Sequence, residues 1–243
     1  MRRASLVMLV GTLIVAMSTS PMAFGETLEI SALQDTRIGN NFSGPQGTFN
    51  HLGVMNDPSQ PNYQRTLLSF DLGEIPQGQQ ILDAQLILYR HDGPDGDNPD
   101  HRDMQVFRLS KDWVEAEATW ADAAVGSAWS NPGADGDYLG TTGAAGVDPY
   151  ATANDNPAKT DPVSWDITTL VSEWYAGTHD NYGMLILSDP VNKLHFFSRE
   201  SGGENYGPKI EVSYAIPEPG ATCLLLIGAI GVGVIVRYHR HGK

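Results

Sequence analysis

The sequence predicts an all-β fold, a β-sandwich that contains one short helix. Short alternating or apolar segments recur along residues 26–216, and clusters of Gly, Pro, Asn and Asp separate them. This spacing is typical of the strands of a sandwich. Near the end of the region Ile210, Val212 and Tyr214 alternate with polar residues, as a strand with one buried and one solvated face requires. The sequence has no internal repeat, which disfavours a solenoid.

Eight segments carry the strand pattern. In chain order they read LEISAL, RTLLSFDL, ILDAQLILY, MQVFRL, VSWDI, GMLILSD, LHFFSRE and KIEVSYA. In the third of them Ala84, Leu86 and Leu88 form another inward-facing set. Two long polar segments, 91–103 and 121–162, interrupt the pattern, and loops of this length in a compact domain are usually functional or disordered.

The predicted helix overlaps the end of the fifth strand segment. Its apolar residues recur at the helical spacing i, i+3, i+4 and i+7, namely Ile167, Leu170, Val171 and Trp174. Asp166 or Thr168 is positioned to cap its first turn, and Gly177 is positioned to end it. We expect this helix to plug one end of the sandwich.

The N-terminus predicts a signal peptide over residues 1–25. Arg2 and Arg3 precede an uncharged stretch, and Ala23 and Gly25 occupy the small-residue positions of a cleavage site. The chain is therefore expected to be exported, with the working domain over the residues that follow.

The C-terminus carries the elements of a sorting signal in order. They are Pro217, Glu218 and Pro219, an uncharged run over 221–236, and a basic tail over 237–243 that includes Arg237 and Arg240. As a helix the run spans about 24 Å, a little less than the hydrocarbon core of about 30 Å, and so predicts a marginal transmembrane helix. The basic tail holds that end in the cytoplasm, which leaves the rest of the chain outside.

These residues, IPEPGATCLLLIGAIGVGVIVRYHRHGK, resemble the PEP-CTERM sorting signal. The resemblance implies processing by an exosortase, a membrane protease of envelope-bearing, exopolysaccharide-producing bacteria. The chain is then anchored for a time in the inner membrane and is finally placed at the cell surface or in the extracellular matrix. An ordinary single-pass anchor is the alternative.

The charge of the region between the two targeting segments limits its partners. The full chain of 243 residues has a formal net charge of −14, and residues 26–216 hold 10 Lys and Arg against 28 Asp and Glu, a net charge of −18. Such a surface repels nucleic acid and other polyanions unless cations screen it, so no nucleic-acid partner is expected. The single cysteine, Cys223, lies in the C-terminal run, so the region has neither a disulfide framework nor a thiolate metal cluster.

Four stretches resemble the DNRLRE domains, which are related to disaggregatase repeats and to a carbohydrate-binding module family. In order they are RTLLSFDLGEIPQGQQILDAQLILY, VFRLSKDWVEAEATW with WSNPGADGD after it, WDITTLVSEWYAGTHDNYGMLIL and FFSRESGGENYGPKIEVSY. They cover most of residues 65–214, although the six-letter motif of the family name is absent. The resemblance implies an antiparallel jelly-roll sandwich in proteins with surface or extracellular glycan-related roles.

Aromatic side chains in polar loops are the candidate glycan-binding residues, because flat aromatic rings stack on sugar rings. Trp129 stands in a Gly- and Asp-rich loop with no periodic partner, which favours either exposure or a role in pinning the loop. Similar surroundings make further candidates of Tyr138, Tyr150 and Tyr206. The other tryptophans occupy strand or helix patterns and are expected in the core: Trp113, Trp120, Trp165 and Trp174.

An acidic loop offers the hard oxygen ligands that Ca²⁺ prefers. Its candidate ligands are Asp92, Asp95, Asp97, Asn98, Asp100 and Asp103. Their spacing is not that of an EF-hand loop, and a solvated acidic turn is the alternative. Asp135 and Asp137 form a second, smaller acidic cluster. Structural calcium is the one cofactor that the sequence indicates.

The sequence favours a non-catalytic function. It has no G-x-S-x-G, no H-E-x-x-H and no phosphate-binding glycine loop, and no spacing pairs its many carboxylates as a glycosidase requires. We therefore expect an exported protein that binds a glycan of the envelope or exopolysaccharide matrix, and the negative charge favours a neutral polysaccharide. The alternatives are a purely structural matrix or adhesion protein, and a polysaccharide lyase or hydrolase.

Overall fold

The structure, a computed structural model, describes the part of the chain between its two predicted targeting segments. The described residues are 24–59, 61–91, 103–154, 162–188 and 192–216. Gly25–Ile216 is one compact unit. All but the last two residues of the predicted signal peptide, and all of the predicted sorting signal, lie outside the described residues, so both stay predictions. Within the described ranges no helix is both long and apolar enough to span a membrane.

Within these ranges the chain forms fourteen strands. Their bounds are β1 Phe24–Ser31, β2 Gln34–Gly39, β3 His51–Asp57, β4 Asn62–Ser69, β5 Gln80–Leu88, β6 Asp103–Leu109, β7 Asp122–Ala124, β8 Ser127–Ala128, β9 Tyr138–Leu139, β10 Ala151–Asn154, β11 Val163–Asp166, β12 Met184–Ser188, β13 Asn192–Phe197 and β14 Lys209–Ile216. A single 3₁₀ turn, Leu72–Glu74, lies between β4 and β5.

The strands form two principal sheets, which confirms the predicted all-β sandwich. The small sheet has the order β1-β14-β5-β11. The large sheet has the order β10-β6-β12-β4-β3-β13, with β2 also paired to β4 and β9 to β6. β14 pairs antiparallel with β5, and β12 pairs antiparallel with both β4 and β6. The jelly-roll connectivity is a finer statement and stays a prediction.

The first core fills the space between the two sheets. Alternate residues of the small sheet, such as Leu86 and Val212, are buried in one cluster with residues of the large sheet. Trp165 of β11, which is 1% exposed, joins the layers. Its Nε1 donates a hydrogen bond to the Met104 carbonyl at 3.0 Å, and its ring lies edge-on to Phe196 at 6.2 Å. Burial of such apolar side chains is the main stabilising contribution to the sandwich.

Two helices accompany the described strands, one more than predicted. The first, α1, spans Thr168–Tyr175. It buries the predicted apolar residues Leu170, Val171 and Trp174 in the first core. The N-cap residue is Ile167, between the two predicted candidates, and it makes no side-chain cap hydrogen bond. The Asp166 carboxylate accepts hydrogen bonds from the Thr168 amide at 3.0 Å and hydroxyl at 2.6 Å just before the helix. The second helix, α2, spans Arg199–Tyr206, and its polar sequence has no apolar spacing that predicts it.

A second, smaller core lies on the opposite face of the large sheet. Leu67 and Leu185 alternate along β4 and β12 with residues of the first core, so their side chains point to the other side. Residues 111–149, here called the cover, pack on that face. The cover contributes the buried residues Trp113, Ala118, Ala123, Trp129 and Ala134.

The prediction of a strandless loop over 121–162 is wrong for its described part. That part contains β7, β8, β9 and β10. Asp137 is buried and its carboxylate accepts hydrogen bonds from the Ser130 amide at 2.5 Å and hydroxyl at 2.8 Å. The small residues that suggested a loop have another role here. Ala123 and Ala134 are buried in the second core, where their small side chains let the cover lie close to the sheet.

The predicted calcium loop lies almost wholly outside the described residues. This applies to Asp92, Asp95, Asp97, Asn98 and Asp100. Asp103 is described, and it begins β6 opposite Asn154 of β10. A calcium ion in this loop stays a prediction.

Candidate functional site

An open cleft at the edge of the cover is the candidate functional site. We call it the aromatic cleft, and it is formed by Tyr63, Arg65, Trp120 and Tyr138. Tyr63 and Arg65 are two residues apart on β4, so their side chains share the face of the sheet that carries Leu67. Trp120 and Tyr138 belong to the cover. The cleft therefore lies where the cover meets the large sheet.

Arg65 joins the two sides of the cleft. Its Nη1 donates hydrogen bonds to the Gly133 carbonyl and, at 2.9 Å, to Asp135 Oδ1. Its guanidinium carbon lies 5.1 Å from the ring centroid of Trp120 and 5.0 Å from that of Tyr138. Both distances are within the range of a cation–π interaction. One side chain of the sheet thus orients two rings of the cover.

Trp120 and Tyr63 form a stacked pair. Their ring centroids are 6.3 Å apart and their planes differ by 17°. Both residues are half-buried, so each pair member keeps part of its surface in contact with solvent. Gly133 supports the indole at close range, since its φ is +83° and a Cβ there would lie 2.6 Å from the Trp120 ring. Glycine is the residue that permits this backbone conformation and approach.

A polar pocket of about 180 Å³ adjoins the rings. Its polar lining, apart from the cleft residues Tyr63, Arg65 and Tyr138, consists of Asn56, Gln64 and Ser188. Gln64 Oε1 and Ser188 Oγ are buried and have no hydrogen-bond partner among the described residues. Such atoms cost about 1–3 kcal/mol each when left unpaired. These two residues alternate along their strands with Tyr63 and Leu187, so their side chains point to the first-core face of the sheet and not into the cleft. The small volume of the pocket suits a single ring better than a large ligand.

The cleft carries little net charge. The Arg65 guanidinium is balanced by the Asp135 carboxylate at 2.9 Å. Burial raises the pKa of the Tyr138 phenol above its ordinary value of 10.0, so this side chain is neutral at physiological pH. A ligand bound here therefore interacts by ring stacking and hydrogen bonding more than by charge.

Trp129, the first glycan-binding candidate from the sequence, is not exposed. Its side chain is 4% exposed, and its Nε1 donates a hydrogen bond to the Thr119 carbonyl at 3.0 Å. The prediction that it presents a ring face to a ligand is wrong, because the indole fills the second core. Of the two alternatives, the structure supports the one in which Trp129 pins its loop.

The three tyrosine candidates have different surroundings. Of these three, Tyr138 lines the cleft. Tyr150 packs against the first core, where burial and a hydrogen bond of 2.5 Å to Glu173 Oε2 raise its pKa to about 12. Tyr206 is 52% exposed and lies edge-on to Tyr89 at 5.4 Å. The described residues thus place one predicted tyrosine in the cleft.

Sequence reasoning missed three of the four cleft residues. Tyr63 and Arg65 carry a usable signal, because they alternate along β4 with the buried Gln64 and Thr66. Trp120 was expected in the core, but it is half-buried at the margin of the second core. The other core predictions are confirmed for Trp113, Trp165 and Trp174.

Comparison with known families gives a match over most of the chain. Residues 45–212 match the family model described as "Disaggregatase related repeat domain". The matched range contains all four cleft residues and agrees with the resemblance to DNRLRE domains. A search of curated proteins gave no match.

Proposed function

Because this chain belongs to the disaggregatase related repeat domain family, we propose that it is a non-catalytic protein that binds a neutral glycan in the aromatic cleft. The observation that carries the proposal is the partly exposed Tyr63–Trp120 stack beside a small polar pocket. Partly exposed rings supply apolar faces for sugar stacking, and Asn56, which lies opposite Tyr63 on β3 and lines the pocket, supplies hydrogen-bonding atoms for hydroxyl groups.

The charge distribution supports a neutral ligand. The region over residues 26–216 is strongly acidic, which opposes the approach of an anionic polysaccharide. Within the cleft, Arg65 is already paired with Asp135, so it offers no excess positive charge for an acidic sugar. A neutral polysaccharide meets no comparable electrostatic barrier.

The proposed place of action is the cell surface or the extracellular matrix. The signal peptide predicted over residues 1–25 and the PEP-CTERM pattern over 217–243 support this location. An exosortase-type protease is the proposed processing partner, with the inner membrane as a transient anchor. The acidic loop over 92–103 is the proposed place for a structural calcium ion.

The test is a glycan array probed with the purified chain, with and without calcium, followed by affinity measurement on any neutral glycan that binds. Tyr63→Ala is expected to weaken binding about tenfold, since one stacked ring contributes on the order of 1.4 kcal/mol. Tyr182→Ala is the matched control. Tyr182 is also half-buried against the second core but lines a different pocket, so its removal should leave the affinity unchanged.

Each contrary result has a distinct meaning. An array with no bound glycan in either condition contradicts the proposal and favours a structural matrix or adhesion protein. Shortening of a polysaccharide during incubation contradicts the non-catalytic assignment and favours a lyase or hydrolase. Unchanged affinity in Tyr63→Ala contradicts the assignment of the cleft.

A further inference from the structure

Three carboxylates from distant parts of the sequence meet at one point, which we call the carboxylate triad. They are Asp35 of β2, Glu115 of the cover and Glu200 of α2. One oxygen of each carboxylate lies within 4.8 Å of the other two. Like charges so close together repel each other unless a positive group lies among them.

Two oxygen atoms of the triad are buried and unpaired. Asp35 Oδ1 and Glu115 Oε1 have no hydrogen-bond partner among the described residues. Asp35 is 1% exposed, and its Oδ2 accepts a hydrogen bond from the Arg199 amide at 2.7 Å. The Glu115 amide is held by Gln34 Oε1 at 3.0 Å, which fixes the turn that carries this glutamate. The backbone thus holds two carboxylates in place while one oxygen of each is left for a ligand.

Arg199 neutralises only part of the triad. Its Nη2 donates to Glu115 Oε2 at 2.8 Å, while its Nη1 donates to the Leu33 carbonyl at 2.6 Å. Its Nε lies 3.7 Å from Glu200 Oε1. When all three carboxylates are ionised, they and the guanidinium carry a net charge of −2, which one divalent cation cancels.

The triad is open to solvent through a pocket of about 370 Å³. Glu115, Arg199 and Glu200 line this pocket, so an ion and its water ligands have a path to the carboxylates. Gly47 forms another part of the wall. A Cβ at this position would lie 2.6 Å from Glu115 Cγ, so a glycine is needed for the chain to pass this close to the carboxylate side chain.

We propose that the carboxylate triad binds a divalent cation, with Ca²⁺ as the ion best suited to it. Ca²⁺ takes six to eight oxygen ligands in a flexible arrangement, and carboxylates bind it through one or both oxygens. The triad supplies three carboxylates, and the pocket admits water for the remaining positions. This site is separate from the acidic loop over 92–103, and its ion links β2, the cover and α2.

Calcium titration of the purified chain tests the proposal, with heat of binding and thermal unfolding as the two measurements. We expect Ca²⁺ to raise the unfolding temperature of the wild type. Asp35→Asn and Glu200→Gln should each lower the affinity of one binding event at least tenfold. Asp83→Asn is the matched control, because Asp83 is exposed on β5 of the small sheet and should leave the titration unchanged.

Calcium bound elsewhere does not obscure the result, since binding that persists in both triad variants belongs to another site. Glu200 is exposed at the start of α2, so Glu200→Gln preserves the fold and keeps the test decisive if Asp35→Asn disturbs folding. Titrations that are the same for the wild type, Asp35→Asn and Glu200→Gln would overturn the proposal.

Discussion

The two hydrophobic cores of this protein are made from different kinds of sequence. The first core, between the sheets, consists of aliphatic and aromatic residues at every second position of regular strands. The second core combines leucines of the large sheet with alanines and tryptophans of the cover, whose strands have three residues or fewer. The first core builds the sandwich, whereas the second holds Trp120 and Tyr138 at the aromatic cleft. The core of the sandwich and the proposed ligand site thus lie largely on opposite faces of one sheet.

The largest effect is expected from a change in the first core. Trp165→Ala removes a fully buried indole, its hydrogen bond to the Met104 carbonyl and its contact with Phe196. Replacement of a buried tryptophan by alanine costs about 3–5 kcal/mol. Urea denaturation should show this loss as a lower midpoint with an unchanged slope, since the whole sandwich unfolds together.

Trp165→Phe is the matched variant for this measurement. It keeps an aromatic ring in the core but loses the hydrogen bond, so its loss should be clearly smaller than that of the alanine variant. Equal stability of Trp165→Ala and Trp165→Phe would show that Trp165 does not stabilise the protein by filling the space between the sheets.

A smaller, local effect is expected from the second core. Trp129→Ala leaves a cavity under the cover and removes the hydrogen bond to the Thr119 carbonyl. We expect opening of the cover to become easier by about 3 kcal/mol, with a smaller change in global unfolding. Hydrogen exchange should accelerate over residues 111–149 while β5 and β14 stay protected. Equal acceleration in the small sheet would show that the two cores unfold as one unit.

The first core could be predicted from the sequence because period-two alternation is a direct consequence of strand geometry. Ile210, Val212 and Tyr214 are buried as their alternation predicts, and α1 lies within one residue of its expected position. The helix α2 could not be predicted, since RESGGENY has neither an apolar face nor strong helix-forming residues in its middle. Its formation depends on tertiary contacts that the sequence does not display.

The cleft was harder to predict than the fold, because its residues come from β4, from a bend of the cover and from β9. The polar surroundings of Trp129 favoured exposure, yet the alanines around it form a buried surface. In contrast, Trp120 follows a segment with apolar spacing but lies at the open margin of the second core. The polarity of the neighbouring residues therefore predicted exposure for Trp129 and burial for Trp120, the reverse of what the structure has. The exposure of each indole depends on how the cover lies on the sheet.

The smallest of these effects is expected at the carboxylate triad, which links the cover to β2. Burial raises the pKa of Asp35 from 3.8 to about 7. The Arg199 amide opposes this change, while the carboxylates of Glu200 and Glu115 add to it. The folded protein therefore keeps a proton that the unfolded chain releases. The resulting stabilisation is complete below about pH 4 and is lost as the pH rises through about 7.

In metal-free buffer with a chelator, the wild type should lose on the order of 2 kcal/mol of unfolding free energy between about pH 4 and pH 7. Asp35→Asn has no titrating group at this position, so its unfolding free energy should change less over the same interval. Urea denaturation of both proteins across this pH range gives the comparison. Parallel curves would show that Asp35 binds its proton equally in the folded and unfolded chains, which would contradict the raised pKa of the buried carboxyl group.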